Sequence, residues 1–143
     1  MINPAAWLSS TGRVPGAHLC SELEWERLAR GADTRNYPHG DTLQPAEANY
    51  GETGSEYASY GPDEVGQHPG SRSVFGADDL VGNVWELARS AFADTGFVVR
   101  GGGYPLDDQA AQTTVRDNVH EAIRDVSIGF RVCADLDHAT STR

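Results

Sequence analysis

The spacing of hydrophobic residues predicts an amphipathic helix near the N-terminus. Trp25 and Ala29 stand four residues apart, as on one buried helix face, with charged residues between them. Ser21 and Glu24 form a capping box, in which both side chains bond the unpaired backbone N–H groups of the first turn. Gly31 is placed to end the helix, because glycine adopts the left-handed conformation found there.

A shorter helix is predicted before it. Asn3 suits the capping position, Pro4 suits the first helical position, and Gly12 is placed to end the helix. No strand is predicted ahead of this helix.

The second half of the chain predicts short strands. Residues 84–87 read as a buried segment that follows a turn at Gly82-Asn83, where both residues tolerate positive φ. Further strands are predicted over Phe97–Arg100, 113–116 and 128–133. The glycine run 101–103 predicts a close approach to another part of the backbone.

Residues 36–71 show neither helical nor strand periodicity. The segment is acidic, contains no Lys or Arg, and is interrupted by Pro and Gly. Tyr50, Tyr57 and Tyr60 favour an ordered loop that packs against the protein, and a solvated acidic surface is the alternative. The tail 137–143 is polar and is predicted to fray.

Composition narrows the class of protein. A chain of 143 residues fits one domain. A net charge of −10 argues against nucleic-acid binding, since phosphate would be repelled. Every basic residue is Arg, so no Lys nucleophile or phosphate-binding Lys is available.

No apolar run reaches the ~18 residues of a membrane span, and the N-terminus has no basic signal-peptide start. A cytoplasmic location is therefore expected.

Cys20 and Cys133 are the two cysteines of the chain, too few for a disulfide scaffold and not spaced as a metal knuckle. Two buried free thiols are the favoured interpretation. A single bridge between them, formed in an oxidising compartment, is the alternative.

The stretch 75–87 carries a candidate metal site. Asp79 and Glu86 flank the turn, and the carbonyls of Gly82 and Val84 could bring four oxygens together, a set that suits Ca²⁺. On residue chemistry alone, the favoured interpretation is that Asp79 caps a turn and Glu86 pairs with an Arg. Asn49 and Glu56 are further candidate ligands in the acidic loop. The alternative interpretation is that this loop is a solvated acidic surface without a bound cation.

Several stretches together resemble the formylglycine-generating enzyme family, also called the sulfatase-modifying factor family. The matching pieces are HLCSELEWERLARG (18–31), YPHGD (37–41), FGADDLVGNVWEL (75–87), VRGG (99–102) and GFR (129–131). Within the family, the sequence of this chain is most similar to the sequences of domains fused to bacterial Ser/Thr protein kinases. The resemblance covers nearly the whole chain, and residues 1–136 are predicted as a partial domain of this family, without its N-terminal strands.

The resemblance implies a C-type-lectin-like α+β fold with two helices, a small twisted and mostly antiparallel sheet, and long irregular loops. It also implies calcium as a cofactor. With the resemblance, a bound cation becomes the favoured interpretation of Asp79 and Glu86. Asp79 and Glu86 would supply side-chain oxygens, and Gly82 and Val84 would supply carbonyls. Asn49 aligns with a second site, whereas Glu56 aligns loosely.

The catalytic chemistry of the family does not carry over. Family enzymes oxidise a substrate Cys with O₂ through a cysteine pair that binds copper, placed shortly after a GGS motif. Here Gly103 stands at the serine position, and no thiol follows it, so no catalytic residue is assigned and no copper is expected. The histidines 18, 39, 68, 120 and 138 have no metal-ligand spacing. A ligand groove is instead predicted at Trp85, Gly103, Tyr104, Asp107 and Arg116.

Three functions follow from these observations. The favoured one is a non-catalytic module that presents the loops 36–71 and 103–127 to a protein or peptide ligand. A second is a family enzyme with formylglycine-generating or other oxidative or acid–base chemistry at the groove. A third is a regulatory fragment completed by a partner chain, or by a second copy in a homodimer, that covers an exposed sheet edge. Neither nucleic acid nor membrane is expected as a partner.

Overall fold

The computed structural model describes residues 4–51, 61–92 and 96–135. The two helices are α1 (Pro4–Ser10) and α2 (Glu22–Arg30), and two 3₁₀ helices span Pro45–Glu47 and Pro69–Ser71. The strands are β1 (Ala17–Leu19), β2 (Trp85–Arg89), β3 (Phe97–Arg100), β4 (Arg116–Val119), β5 (Ile128–Phe130) and β6 (Val132–Ala134). Neither helix in this part of the chain has the length and apolar composition that crossing a bilayer demands.

Both predicted helices form. The Glu24 amide donates to Ser21 Oγ at 3.3 Å, and the Ser21 amide donates to Glu24 Oε2 at 2.8 Å, which confirms the capping box. Gly31 ends α2 with φ 69° and donates to the Arg27 carbonyl. The predicted cap of α1, Asn3, lies outside the described residues.

The strands form two sheets. A four-stranded sheet has the order β4-β3-β2-β5, in which β2 and β5 run parallel and the other neighbours antiparallel. A separate antiparallel pair joins β1 to β6. The prediction of a mixed α+β architecture with a small, mostly antiparallel sheet is confirmed.

Two strand boundaries differ from the prediction. A single strand over 128–133 is wrong, because β5 and β6 belong to different sheets and are interrupted at Arg131, whose side chain donates to Glu86. The strand predicted over 113–116 begins later, at Arg116. Thr113 is instead engaged by the carbonyls of Asn36 and Arg35, so it cannot join the sheet.

The two cysteines are bonded to each other. Cys20 follows β1, Cys133 lies in β6, and the pairing of these strands brings their Cα atoms to 4.9 Å. The favoured expectation of two free thiols is therefore wrong, and the alternative of one bridge is correct. The two cysteines are separated by 113 residues in the sequence, so no local sequence pattern could predict their contact.

Within the described residues, the core contains two hydrophobic clusters, which the stretch 75–87 connects. Leu80 packs with Trp25 and Ala29 under α2. The next residue, Val81, packs in a second cluster with Tyr37, Ala48, Tyr50 and Ala111. Tyr50 is 1% exposed, which confirms an ordered, packed loop in its described part. Tyr57 and Tyr60 lie outside the described residues, as does the tail.

Glycines let the loops approach the sheet closely, as the sequence predicted. A Cβ at Gly82, which has φ 71°, would stand 2.3 Å from the Asn49 carbonyl oxygen. A Cβ at Gly102 would stand 2.8 Å from the Ala111 Cα. Since real Cβ contacts are never this short, only glycine allows this packing, and it holds the loops beside the candidate site.

Candidate functional site

Trp25 lies between two ion pairs in the interior of the protein. It is 0% exposed on α2, and its Nε1 donates to Glu86 Oε2 on β2 at 2.7 Å. The guanidinium of Arg100, at the end of β3, lies over the Trp25 ring, 5.1 Å from its centre. A cation over an indole face is attracted by the ring, and more strongly where water is excluded. Glu22, Trp25, Glu86, Arg100 and Arg131 are called the Trp25 cluster below.

The first ion pair joins α2 to β3. Arg100 is 1% exposed, and its Nη1 donates to Glu22 Oε1 at 2.6 Å. Its Nη2 donates to Glu26 Oε2 at 2.9 Å and to the Thr113 carbonyl at 2.7 Å. Glu22 and Glu26 are four residues apart on one helix face, so a single guanidinium reaches both.

Arg116 joins the same network through Glu22. From β4 it donates to Glu22 Oε1 at 2.6 Å and to Oε2 at 3.1 Å, and it lies over the ring of Phe92. The buried carboxylate of Glu22 holds it beside α2, and its assignment to the ligand groove stays a prediction. Burial opposes ionisation of Glu22, but the bonds from Arg116, the Ala91 amide and Arg100 outweigh it and hold the pKa of Glu22 below its usual value.

The second ion pair is formed by Glu86 and Arg131. Arg131 Nε donates to Glu86 Oε2 at 2.8 Å, and its Nη2 donates to Oε1 at 2.5 Å and to the Asp78 carbonyl. The Glu86 side chain is 9% exposed. Burial raises the pKa of Glu86, and Arg131 opposes that shift. The parallel two-point contact is the strong geometry of an Arg–carboxylate pair.

The structure brings part of the predicted calcium set together. Asp79, Val84 and Glu86 line one cavity of about 430 Å³, with Arg131 also at its wall. Gly82 and Asn49 do not line this cavity, and the Gly82 amide donates to the Gly101 carbonyl. The Asn49 carbonyl accepts from the Asn83 amide, and its side chain donates to the Gly61 carbonyl. Glu56 lies outside the described residues.

The donors do not fit a calcium ion at Glu86 in this arrangement. Both of its oxygens already accept hydrogen bonds, and Arg131 supplies the positive charge that a cation would otherwise bring. Asp79 Oδ2 accepts from the Gly66 amide at 2.6 Å. These contacts agree with the alternative drawn from residue chemistry, in which Asp79 holds a turn and Glu86 pairs with an Arg. Calcium stays a prediction.

The remaining groove residues are partly together. Gly103 lies against β2, since a Cβ on it would stand 3.5 Å from the Trp85 amide nitrogen. The Tyr104 amide donates to the Asn83 carbonyl at 2.9 Å. Asp107 is exposed, and its Oδ1 accepts from the Ala110 amide at 2.9 Å, so it holds a surface turn. The structure thus joins Trp85, Gly103 and Tyr104.

Three of the four histidines in the described part of the chain lie beside a carboxylate, and the fourth, His120, accepts from the Ala122 amide at Nδ1. His39 Nε2 lies 3.1 Å from Glu47, and His68 Nε2 lies 2.8 Å from Asp63. His18 Nε2 lies 2.9 Å from Glu24. His138 lies outside the described residues. Because these pairs are on separate elements, the described histidines do not converge at the glycine run.

Sequence reasoning missed the network around Arg100. The signal was present in Glu22 and Glu26, whose spacing places two carboxylates on the face of α2 that also carries Trp25. Carboxylates beside a buried Trp need a cationic partner from another part of the fold, because a buried charge is normally paired. The sequence pattern does not identify which Arg is that partner.

The chain matches the family model described as "Sulfatase-modifying factor enzyme 1-like domain" over residues 2–136. The chain belongs to this family, as the resemblance indicated.

Curated relatives fall into three groups by name. Hercynine oxygenase of Mycolicibacterium thermoresistibile is 27% identical over 88% of this chain and 33% of its own length. The formylglycine-generating enzyme of Mycobacterium tuberculosis is 34% identical over 56% of this chain and 29% of its own length. Inactive C-alpha-formylglycine-generating enzyme 2 of Mus musculus is 31% identical over 83% of this chain and 43% of its own length. The chain therefore spans less than half the length of these relatives.

Solved structures support the fold. PvdO from Pseudomonas aeruginosa has a TM-score of 0.75 at 24% identity, over 92% of this chain and 57% of that one. Treponema denticola variable protein 1 has a TM-score of 0.69 at 24% identity, over 81% of this chain and 46% of that one. The C-type-lectin-like α+β fold is confirmed.

The Glu22 carboxyl makes a pH-dependent contribution to stability. Its pKa in the folded protein is below the usual 4.5, so its contribution is present above that value and is lost as the pH falls through the lowered pKa. We expect Glu22→Gln to lower the free energy of unfolding at neutral pH by about 3–5 kcal/mol, since two Arg lose a buried anionic partner. Urea unfolding at a series of acidic pH values should show that this difference narrows below pH 4.5.

Glu64→Gln is the control for this series, because Glu64 is an exposed carboxylate. It should follow the wild type at every pH. A Glu22→Gln variant as stable as the wild type at neutral pH, with an unchanged acid slope, would contradict the assigned network.

The pairing of Glu86 predicts how the protein responds to calcium. Arg131→Gln leaves Glu86 buried without its cationic partner and should cost about 3–5 kcal/mol of stability. Because Arg131 already neutralises Glu86, calcium at this position is not expected to raise the melting temperature, so the wild type is compared in millimolar calcium chloride and in EDTA. Thermal unfolding followed by circular dichroism measures both. A wild-type melting temperature that rises with calcium and falls with EDTA would restore Glu86 as a metal ligand.

Proposed function

We propose that this chain is a non-catalytic module that binds an extended polypeptide on a formylglycine-generating-enzyme-like scaffold. The observation that carries the proposal is the bond between Cys20 and Cys133, which are the two cysteines of the chain. The family's oxidation, as the resemblance describes it, needs a thiolate pair for copper, and soft copper(I) is not held by Asp or Gln in its place. Both sulfurs are occupied in joining β1 to β6.

A relative supports the same direction. The Mus musculus protein that is 31% identical to this chain carries the word "inactive" in its name. The family therefore includes members described as inactive, and this chain's residues after Gly103 contain no thiol. Membership in the family and loss of the oxidase chemistry are compatible.

The surface around Phe130 is the best candidate for the ligand-binding site. Phe130 is 49% exposed at the end of β5, and it lines two adjoining cavities of about 460 and 430 Å³. Val126 stands at the wall of the first and Val65 at the wall of the second, and both are at least 80% exposed. Val65 belongs to the loop 36–71 and Val126 to the loop 103–127, the two loops expected to present a ligand. Phe130, Val126 and Val65 are called the Phe130 surface.

The position of β5 favours an extended peptide. It is the terminal strand in the order β4-β3-β2-β5, so its outer edge is unpaired by the strands described here. A peptide can add to such an edge through backbone hydrogen bonds while its side chains enter neighbouring pockets. Exposed apolar side chains clustered at one edge are a common mark of an interaction site. A partner chain and a second copy of this chain both satisfy this description.

The proposal predicts no oxidase activity. Incubation with a Cys-containing peptide and O₂, with and without copper, should yield no formylglycine by mass spectrometry. The formylglycine-generating enzyme of Mycobacterium tuberculosis, treated in parallel, is the positive control. Formylglycine formed by this chain would overturn the non-catalytic assignment.

A second arm tests the binding surface. Selection of the immobilised protein against a displayed random-peptide library should yield apolar, extended binders, and Phe130→Asp should abolish their binding. Val74→Asp is the matched control, because Val74 is 60% exposed and lines neither cavity at Phe130. Sedimentation at increasing concentration separates peptide binding from self-association. Binders that tolerate Phe130→Asp, or a selection that yields none, would refute this site.

A further inference from the structure

His18, Glu24 and Asp135 bring three metal-binding side chains to one point outside the Trp25 cluster and the Phe130 surface. His18 lies in β1, Glu24 in the first turn of α2, and Asp135 directly after β6. One ligand atom of each, an imidazole nitrogen or a carboxylate oxygen, lies within 4.8 Å of the other two. In the described part of the chain, no other group of three or more His, Cys, Asp or Glu side chains meets this condition.

The bonds of His18 show which nitrogen faces the cluster. Nδ1 lies 2.8 Å from the Gly16 carbonyl oxygen, which can only accept, so Nδ1 carries the hydrogen. Nε2 lies 2.9 Å from Glu24 Oε1. In the neutral imidazole this nitrogen presents a lone pair to a carboxylate, and two electron-pair donors face each other. A cation between them, either a proton or a metal ion, resolves that contact.

Hydrogen bonds hold the Glu24 carboxylate in place, and strand pairing sets the backbone position of Asp135. Glu24 Oε2 accepts from the Ser21 amide at 2.8 Å and from the Ser21 hydroxyl at 2.7 Å, which leaves Oε1 toward His18. Asp135 is placed by the pairing of β1 with β6 and by its close approach to Gly16. The disulfide next to the cluster fixes the same two strands.

Two of the three side chains have the supporting hydrogen bonds that are characteristic of metal ligands. A metal-binding His commonly donates its other ring N–H to a carbonyl or carboxylate, which sets its orientation and tautomer. Here the Gly16 carbonyl does this for His18, and Ser21 does the equivalent for Glu24.

We propose that His18, Glu24 and Asp135 form a three-ligand site for a divalent transition-metal ion, with Zn²⁺ as the best match and water in the fourth position. One imidazole with carboxylates suits zinc, whereas calcium prefers oxygen alone and copper(I) prefers sulfur. Ligand atoms in a tetrahedral zinc site stand about 3.3 Å apart, given bond lengths near 2.0–2.1 Å. His18 Nε2 and Glu24 Oε1 therefore separate by a few tenths of an ångström on binding, which partly exposed side chains allow.

Isothermal titration with zinc chloride tests the site on the whole chain, with any affinity tag removed and no reductant present, so that the disulfide stays closed. We expect one zinc ion per chain and a melting temperature that rises with zinc and returns on addition of EDTA. Asp135→Asn should weaken zinc binding by at least about tenfold and remove the thermal shift. Asp135 is exposed, so this variant should fold without loss of stability in EDTA.

His68→Gln is the matched control, because His68 pairs with Asp63 at 2.8 Å but belongs to no group of three described ligands. It should bind zinc as the wild type does, and His18→Gln should not. Zinc affinity that is unchanged in Asp135→Asn and His18→Gln, or a wild type without zinc binding, would overturn the proposal. The three side chains would then hold only a proton between His18 and Glu24.

Discussion

The fold depends on the contact of one buried Trp with two buried ion pairs. Trp25 donates to Glu86, which Arg131 neutralises, and its ring lies beside Arg100, which Glu22 neutralises. Burying such charges costs free energy that their ion pairs and hydrogen bonds offset, so removing one partner leaves a buried charge unpaired and destabilises the fold. The cluster joins α2 to β2, to β3 and to the segment between β5 and β6. It therefore fixes the strand that carries the exposed Phe130, and it connects the architecture of the core to the proposed binding surface.

The proposed function rests on the position of the two cysteine sulfur atoms. The glycine run lies beside β2 and Trp85, and the residues after it contain no Cys. The two sulfurs are joined between β1 and β6, where they hold a second, two-stranded sheet. A chain of this family can thus keep the sheet, the helix cap and the close glycine contacts while its cysteines serve a structural purpose. The exposed apolar side chains of the Phe130 surface lie at a sheet edge, which suits the proposed recognition of a polypeptide.

Local chemistry was readable from the sequence, and long-range pairing was not. The capping box of α2 depends on residues three apart, and the close approach at Gly102 follows from the absence of side chains, so both could be predicted. The disulfide depends on strands that meet across a separation of 113 residues. The break between β5 and β6 depends on Arg131 turning toward Glu86, and the position of Arg116 depends on a carboxylate in α2. Each of these is decided by a buried partner that the local pattern does not contain. For Glu86 the residues left two interpretations open, and the geometry favours the Arg pair.

The state of the two cysteines tests the central claim most directly. The protein, purified without reductant, is unfolded in guanidinium with iodoacetamide and its intact mass is measured; a second sample is first reduced. The account predicts that neither cysteine of the first sample is alkylated, that both cysteines of the second are, and that proteolysis of the first yields one peptide pair joined through Cys20 and Cys133. Two free thiols in the unreduced sample, able to bind copper(I), would contradict it.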